Sequence, residues 1–357
     1  MADFGVYVHI PFCASRCDYC AFATWTDRGH IVDEYVDAVV ADIGHKVSAG
    51  MPPADTVFLG GGTPTLIDPA HIARILAAVP VSAGAEVSVE CNPDNVTGPM
   101  METFVAAGVN RVSIGVQSMV THVLASLGRT HDQENVARAV AHARSAGIRK
   151  VNLDLIYGAV GESLDDWRVT LLAALEMSPT HVSAYGLTVE PGTPLAADPS
   201  RHPDDDEQAD KYIVADQMLT AAGLANYEIS NWAVPGDECR HNRVYWDQGN
   251  YEGFGCAAHS HRDGRRWWNV RTPDRYVELV RSGGSVVAAD EVLDAETRSF
   301  ERLELSLRTS RGVPVDSLDL SAAEMEGLVE VRDGNAVLTR AGRLLANEIS
   351  TRLITGD

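Results

Sequence analysis

Short runs of β-branched and apolar residues recur through the first part of the chain, each followed by a stretch whose apolar positions repeat at helical spacing. The runs fall at 5–10, 56–59, 86–90, 111–116, 151–156 and 181–187, and the helical stretches at 31–47, 69–78, 98–107, 135–146, 164–175 and 206–222. Six strand-then-helix units in succession predict a parallel sheet. Polar residues gather at or just past the carboxyl ends of the runs: the cysteine loop after residue 10, the segment 60–65, Glu90, Gln117, Asp154 and Tyr185. In barrels that end carries the chemistry. The pattern therefore favours an α/β fold built as a curved, incomplete (β/α)6 barrel over a flat doubly wound sheet.

Past the sixth unit the pattern changes. The charged, turn-rich loop 199–207 reads as a solvated surface leading into an acidic helix start. Glycines and aromatics are dense between Tyr227 and His259, which suggests backbone packed against a flat ligand. From about Val292 the chain reads as amphipathic helices and a short hairpin at 328–338, with Asp333 and Gly334 at its turn and a final helix from Thr339. We expect three regions: 1–225 as the barrel, 226–290 as a connecting segment, and 291–357 as a small, mostly helical, winged-helix-like domain.

Composition narrows the partners. With 357 residues, 45% of them hydrophobic, the chain can bury a large core. Its net charge of -21 argues against nucleic acid or anionic lipid as general partners, because the long-range field repels both. An anionic ligand must then meet a local basic patch. Neither a run of eighteen apolar residues nor a signal-like leader occurs, so a soluble cytoplasmic protein is expected, with membrane contact only through a partner. Three of the six cysteines cluster and three are scattered, which suits a metal site in a reducing compartment and not a disulfide framework.

The clustered thiols are Cys13, Cys17 and Cys20, at the end of the first apolar run. Closed zinc sites and ordinary ferredoxin-type clusters take four protein ligands, so three leave one position open for a small molecule. A zinc site completed by Cys91 or a distant histidine is the alternative. The cysteine loop, the glycine-rich segment 60–64, Glu90, Gln117 and Asp154, each at a successive strand end, together resemble the radical S-adenosylmethionine (radical SAM) superfamily. The resemblance implies that the three thiolates hold a 4Fe-4S cluster whose fourth iron is chelated by S-adenosylmethionine. It also implies cofactor contacts from Tyr7, Tyr19, Gly61, Gly62, Thr63, Glu90, Gln117, Arg129 and Asp154. The glycines have a physical reason, since a side chain there would block close backbone approach. Asp154, charged within an apolar run, is costly unless paired or ligand-bound.

The motifs beginning at Tyr7, Asn152, Pro191 and Tyr227 make nearly the whole chain similar to the oxygen-independent coproporphyrinogen III oxidase family. Two departures point to its HemW-type haem chaperone branch. Phe22 stands where the oxidases carry a fourth cysteine, and six residues precede Tyr7 where they have an extension. A third marker, His241-Asn-Arg-Val-Tyr245-Trp246, matches a motif of that branch in which the histidine is associated with haem. Imidazole is a common haem ligand, and adjacent aromatics can pack on the macrocycle. The resemblance thus implies haem binding by His241, Tyr245 and Trp246, and haem transfer to acceptor haem proteins such as respiratory enzymes. Arg262, Arg265 and Arg266 are candidate contacts for the haem propionates. Oxidative decarboxylation of coproporphyrinogen III is the enzyme alternative, and a radical SAM methylase the third class; neither requires an iron-ligating histidine. Cys239, two residues before His241, reads by default as a buried apolar thiol.

Overall fold

The computed structural model describes residues 3–321 and 325–354. Six strand-helix units open the chain: β1 (Gly5–Ile10) and α1 (Val32–Ser48), β2 (Ala54–Gly61) and α2 (Pro69–Ala78), β3 (Val81–Cys91) and α3 (Gly98–Ala106). They continue with β4 (Arg111–Gln117), the short α4 (Thr121–Ser126) and α5 (Gln133–Ser145), then β5 (Lys150–Tyr157) and α6 (Leu164–Glu176), then β6 (His181–Gly186) and α7 (Asp205–Ala221). Local chemistry fixes several helix starts. Asp68, Asp132 and Asp204 accept hydrogen bonds from first-turn amides, and Ser163 forms a reciprocal capping box with Asp166.

The parallel strands largely alternate. Val6, Val8, Ile10, Val57, Leu59, Val89, Val112, Ile114, Val151, Leu153, Leu155 and Val182 are buried in the apolar core that the helices cover. The intervening positions include His9, Glu86, Ser88, Arg111, Ser113, Asn152, His181 and Ser183, all buried and all polar. One face of the sheet is therefore oily and the other is polar, as period-two side-chain placement requires. The polar face needs either its own hydrogen bonds or a ligand.

Beyond α7 the chain adds strands at both margins. These are β7 (Ala225–Glu228), β8 (Asn231–Ala233), β9 (Tyr251–Phe254), β10 (His259–Arg262), β11 (Arg265–Asn269) and β12 (Val287–Val292), with α8 (Arg240–Trp246) before β9 and α9 (Pro273–Arg281) before β12. The twelve-stranded sheet runs β12-β11-β10-β9-β1-β2-β3-β4-β5-β6-β8-β7 and stays open, ending at β12 and β7. It is parallel from β9 through β6 and antiparallel outside that span. The expected six-unit partial barrel is present, but β9 adds a seventh parallel strand beside β1. Four residues rich in glycine and aromatics carried no period-two signal to announce it.

In the last region α10 (Ala295–Leu307) packs with a small sheet of β13 (Val313–Pro314), β15 (Asn335–Leu338) and β14 (Val329–Arg332), followed by α11 (Arg340–Leu344) and α12 (Ala346–Ser350). Leu307, Val313, Leu318, Met325, Leu338 and Ile349 form its own apolar cluster. The expected hairpin at 328–338 is β14-β15, whereas the expected final helix is broken at Leu345 into two short ones. Residues 1–2, 322–324 and 355–357 of the expected regions lie outside the described residues.

Asp216 of α7 ties this region to the barrel. It is buried, pairs with Arg340 and with Arg343 at 3.0 Å, and accepts from Trp232 Nε1 at 2.9 Å. Burial pushes its carboxyl up, but the Trp232 hydrogen bond and the two guanidiniums outweigh this and hold it below the usual value. Removing one partner of such a set leaves buried groups unpaired, so Asp216→Ala should cost about 3 kcal/mol and lower the thermal midpoint. A depressed carboxyl contributes stability above its unfolded pKa and loses it as pH falls through the folded one. Thermal melts of the variant and the parent should therefore converge only in acid.

Candidate functional site

At the carboxyl end of the parallel strands lies a cavity of about 630 Å3. Cys13, Cys17, Tyr19, Cys20, Gly61, Gly62, Thr63, Glu90, Gln117, Arg129 and Asp154 all line it. The cysteines are half-buried free thiols in the loop after β1. Thr63 donates its hydroxyl hydrogen to Cys13 Sγ at 3.6 Å, and Arg129 Nη1 donates to Cys17 Sγ at 3.7 Å. Among the described residues no group of three histidine, cysteine or acidic side chains converges on a single ion.

The glycines have a sharper reason than ligand approach. Gly61 sits at φ 110°, and a Cβ there would fall 2.3 Å from the His9 ring. Its amide donates to Glu90 Oε2 at 2.9 Å, so the β2 strand end and Glu90 are joined. Glu90 is half-buried, and desolvation first, then the charge of Asp154, pushes its carboxyl up to about 7. Burial also raises Asp154, which accepts from Ser113 Oγ at 2.7 Å and from Asn152 Nδ2 at 2.8 Å. Gln117 closes β4 at φ 64°, a left-handed conformation in a non-glycine residue, where the β4-β5 register shifts by a residue. Arg129, in the loop after α4, reaches back to the Gly115 carbonyl at 3.0 Å.

The polar face of the sheet continues below as a second cavity of about 230 Å3. Asn152 bridges Ser113, Asp154 and Ser183, and its carbonyl oxygen meets His181 Nδ1 at 2.6 Å; His181 Nε2 meets Tyr227 Oη at 2.9 Å. Sequence reasoning passed over this network. Its signal was the alternation itself: Ser113, Asn152, His181 and Ser183 all fall on positions facing away from the helices.

His241 lies in α8 at the wall of this lower cavity and is buried. Its Nδ1 is 2.8 Å from Thr56 Oγ1 and its Nε2 is 2.8 Å from Tyr245 Oη, one helical turn on. The ring stacks on Phe58, which stacks on Tyr7. Burial lowers the His241 pKa to about 3, so the imidazole is neutral. Tyr7 lines the lower cavity and not the cysteine-lined one, where its expected role would place it, and Trp246 lines neither.

A third, open cavity of about 410 Å3 adjoins both. Tyr7, His9, Phe22, Tyr245, Tyr251, His259 and Arg271 are on its wall, and it shares Ala21, Phe22, Gly61 and Glu90 with the cysteine-lined one. Phe22, 63% exposed, therefore borders both. Arg262, Arg265 and Arg266 line none of the three. Their guanidiniums turn to acids instead: Arg262 to Glu252 at 3.4 Å, Arg265 to Asp290 at 2.8 Å, and Arg266 to Glu291 at 2.8 Å and Glu301 at 3.0 Å. The cation that does reach the cavity is Arg271, just past β11, which sequence reasoning did not single out. Cys239 is buried, as its default reading has it, but its surroundings are not apolar, since the thiol donates to Glu86 Oε1 at 3.5 Å.

Comparison with known proteins adds to this geometry. The sequence model described as Radical SAM superfamily matches residues 7–174. The protein named heme chaperone HemW from Mycobacterium tuberculosis H37Rv is 41% identical, with 98% of this chain and 95% of that protein covered. The HemW proteins of Escherichia coli K12 and Bacillus subtilis 168 are 37% and 32% identical, covering 85% and 97% of this chain and 84% and 97% of their own lengths. Among solved structures, the coproporphyrinogen III oxidase HemN of Escherichia coli superimposes with a TM-score of 0.85 at 24% identity, over 98% of this chain and 89% of that one. That likeness bears on the fold. No helix among the described residues is long and apolar enough to cross a membrane.

Proposed function

The chain belongs to the HemW family within the radical SAM superfamily, and from that premise we propose that it binds haem and delivers it to acceptor haem proteins. The observation that carries the reading is the shared wall: an open cavity lined by tyrosines, histidines and an arginine meets the cysteine-lined cavity at Phe22, Gly61 and Glu90. A flat, largely apolar, doubly anionic molecule matches such a lining. Phe22, where the oxidases carry cysteine, presents an apolar ring to both spaces. Titrating the cluster-loaded chain with haem tests the reading: saturation at one haem per chain is expected, and no binding would remove it.

Cys13, Cys17 and Cys20 would hold a 4Fe-4S cluster, which supplies an iron site open to the amino and carboxylate groups of S-adenosylmethionine. Tyr19, Gly61, Gly62, Thr63, Glu90, Gln117, Arg129 and Asp154 would hold that cofactor in the same cavity. Glu90 as a carboxylate accepts from its ribose or ammonium group. Because burial holds Glu90 near 7, affinity for S-adenosylmethionine should rise by up to about tenfold between pH 6 and 8, and Glu90→Gln should flatten the profile. Calorimetry across that range reads it. The unliganded fold has the opposite sign: a carboxyl raised from 4.5 to about 7 makes stability fall as pH climbs through that window.

In this reading Tyr245 lines the haem-binding cavity and His241 stands behind it, whereas Trp246 lines none of the three cavities. His241 acts in this conformation through Tyr245, whose hydroxyl it holds at the cavity wall; ligation of iron by its own Nε2 requires that hydrogen bond to open.

A further inference from the structure

Two histidines, His9 and His259, line the open cavity of about 410 Å3, and a third, His241, stands behind its wall residue Tyr245; their lone pairs differ. His9 Nε2 lies 2.8 Å from the Ala23 carbonyl, which can only accept, so Nε2 carries the proton. Its Nδ1 lone pair is then taken by the Tyr7 hydroxyl at 3.0 Å. Both nitrogens of His241 are likewise engaged, by Thr56 and Tyr245. His259 is different. It is exposed, it lines the cavity, and neither ring nitrogen has a hydrogen-bond partner among the described residues.

The backbone presents His259 firmly. It is the first residue of β10, paired across the ladder with Trp268, on whose indole its ring stacks at 5.7 Å and 25°. The tight turn before it carries Gly255 at φ 91° and Ala257 at φ 56°. Gly253 runs so close that a Cβ there would lie 2.1 Å from the His259 carbonyl oxygen. Partial desolvation and the Arg266 charge lower the His259 pKa, which favours the neutral imidazole with a free lone pair. Arg271 lines the same cavity and forms no ion pair with a described residue, unlike the three arginines of the β10-β11 hairpin.

We propose that His259 is an axial ligand of the haem iron and that Arg271 receives a haem propionate, with the macrocycle lying between Phe22 and the tyrosines Tyr245 and Tyr251. The assignment rests on the haem-binding reading above and deepens it. It is tested by haem titrations of the full chain, read by Soret absorption and electron paramagnetic resonance, for the parent and the variants His259→Ala, His241→Ala and Arg271→Glu. His259→Ala should lose the imidazole-ligated signature and weaken binding by about tenfold or more, and added imidazole should restore the signature. Arg271→Glu should weaken binding by about tenfold while leaving the iron spectrum unchanged. His259 and Arg271 are both exposed, so neither change threatens folding, and circular dichroism verifies it. If the parent binds haem and His259→Ala keeps its spectrum and affinity, or if His241→Ala alone abolishes the imidazole signature, the ligand assignment falls while haem binding stands. If the parent binds no haem, both fall.

Discussion

Gly61→Ala is expected to weaken S-adenosylmethionine binding by roughly a hundredfold while leaving the chain folded. The backbone at Gly61 has φ 110°, where an L side chain is strained, and its Cβ would overlap the His9 ring at 2.3 Å. Strain of that kind costs about 1–3 kcal/mol, and overpacking a filled space costs a similar amount again. His9 cannot yield freely, because its ring is tied to Tyr7 and to the Ala23 carbonyl in the cysteine loop. The strand end would shift instead, taking the Gly61 amide away from Glu90. A loss of about 3 kcal/mol at the site corresponds to roughly a hundredfold in affinity. Equilibrium binding of S-adenosylmethionine reads it, and affinity within threefold of the parent would show that the glycine serves only the turn.

The second large effect concerns the thiols. Cys17→Ser should leave the reconstituted chain with almost no bound iron and no visible cluster absorption, because three ligands are the fewest the open site can use. Arg129→Ala separates holding from tuning. Arg129 donates to Cys17 Sγ at 3.7 Å, and a cationic hydrogen bond to sulfur favours the reduced, more negative cluster. The variant should therefore keep its iron and show a lower reduction potential by redox titration. Loss of the iron itself would mean that Arg129 is needed to build the loop.

How much of this was legible in the sequence depends on the kind of signal. The six strand-helix units were, because runs such as 111–116 and 151–156 pair apolar alternation with following helical stretches that are capped by Asp132 and Ser163. Glu90, Gln117 and Asp154 were legible as a group, since each sits in the carboxyl half of its strand in order, and with Arg129, in the loop after α4, they line one cavity with the cysteine loop. The margins of the sheet were not. β8 has three residues and β9 four, too few for a period to show. Arg265 and Arg266 looked like ligands because they adjoin Trp267 and Trp268, but the sequence does not show that Asp290 and Glu291 of β12 lie across the ladder from this strand. The partners of His241 were half visible: Tyr245 stands one helical turn away, but Thr56, on a strand far back in the chain, could not be seen.

The central claim is that the polar end of this barrel handles haem as cargo. The most direct measurement reconstitutes the cluster without oxygen, loads one equivalent of haem, and presents an apo haem protein and, separately, coproporphyrinogen III with S-adenosylmethionine. Stoichiometric movement of haem to the apo-acceptor, with coproporphyrinogen III unchanged, is the expected result. Conversion of coproporphyrinogen III to protoporphyrinogen IX with S-adenosylmethionine consumed, and no haem transferred, would contradict it.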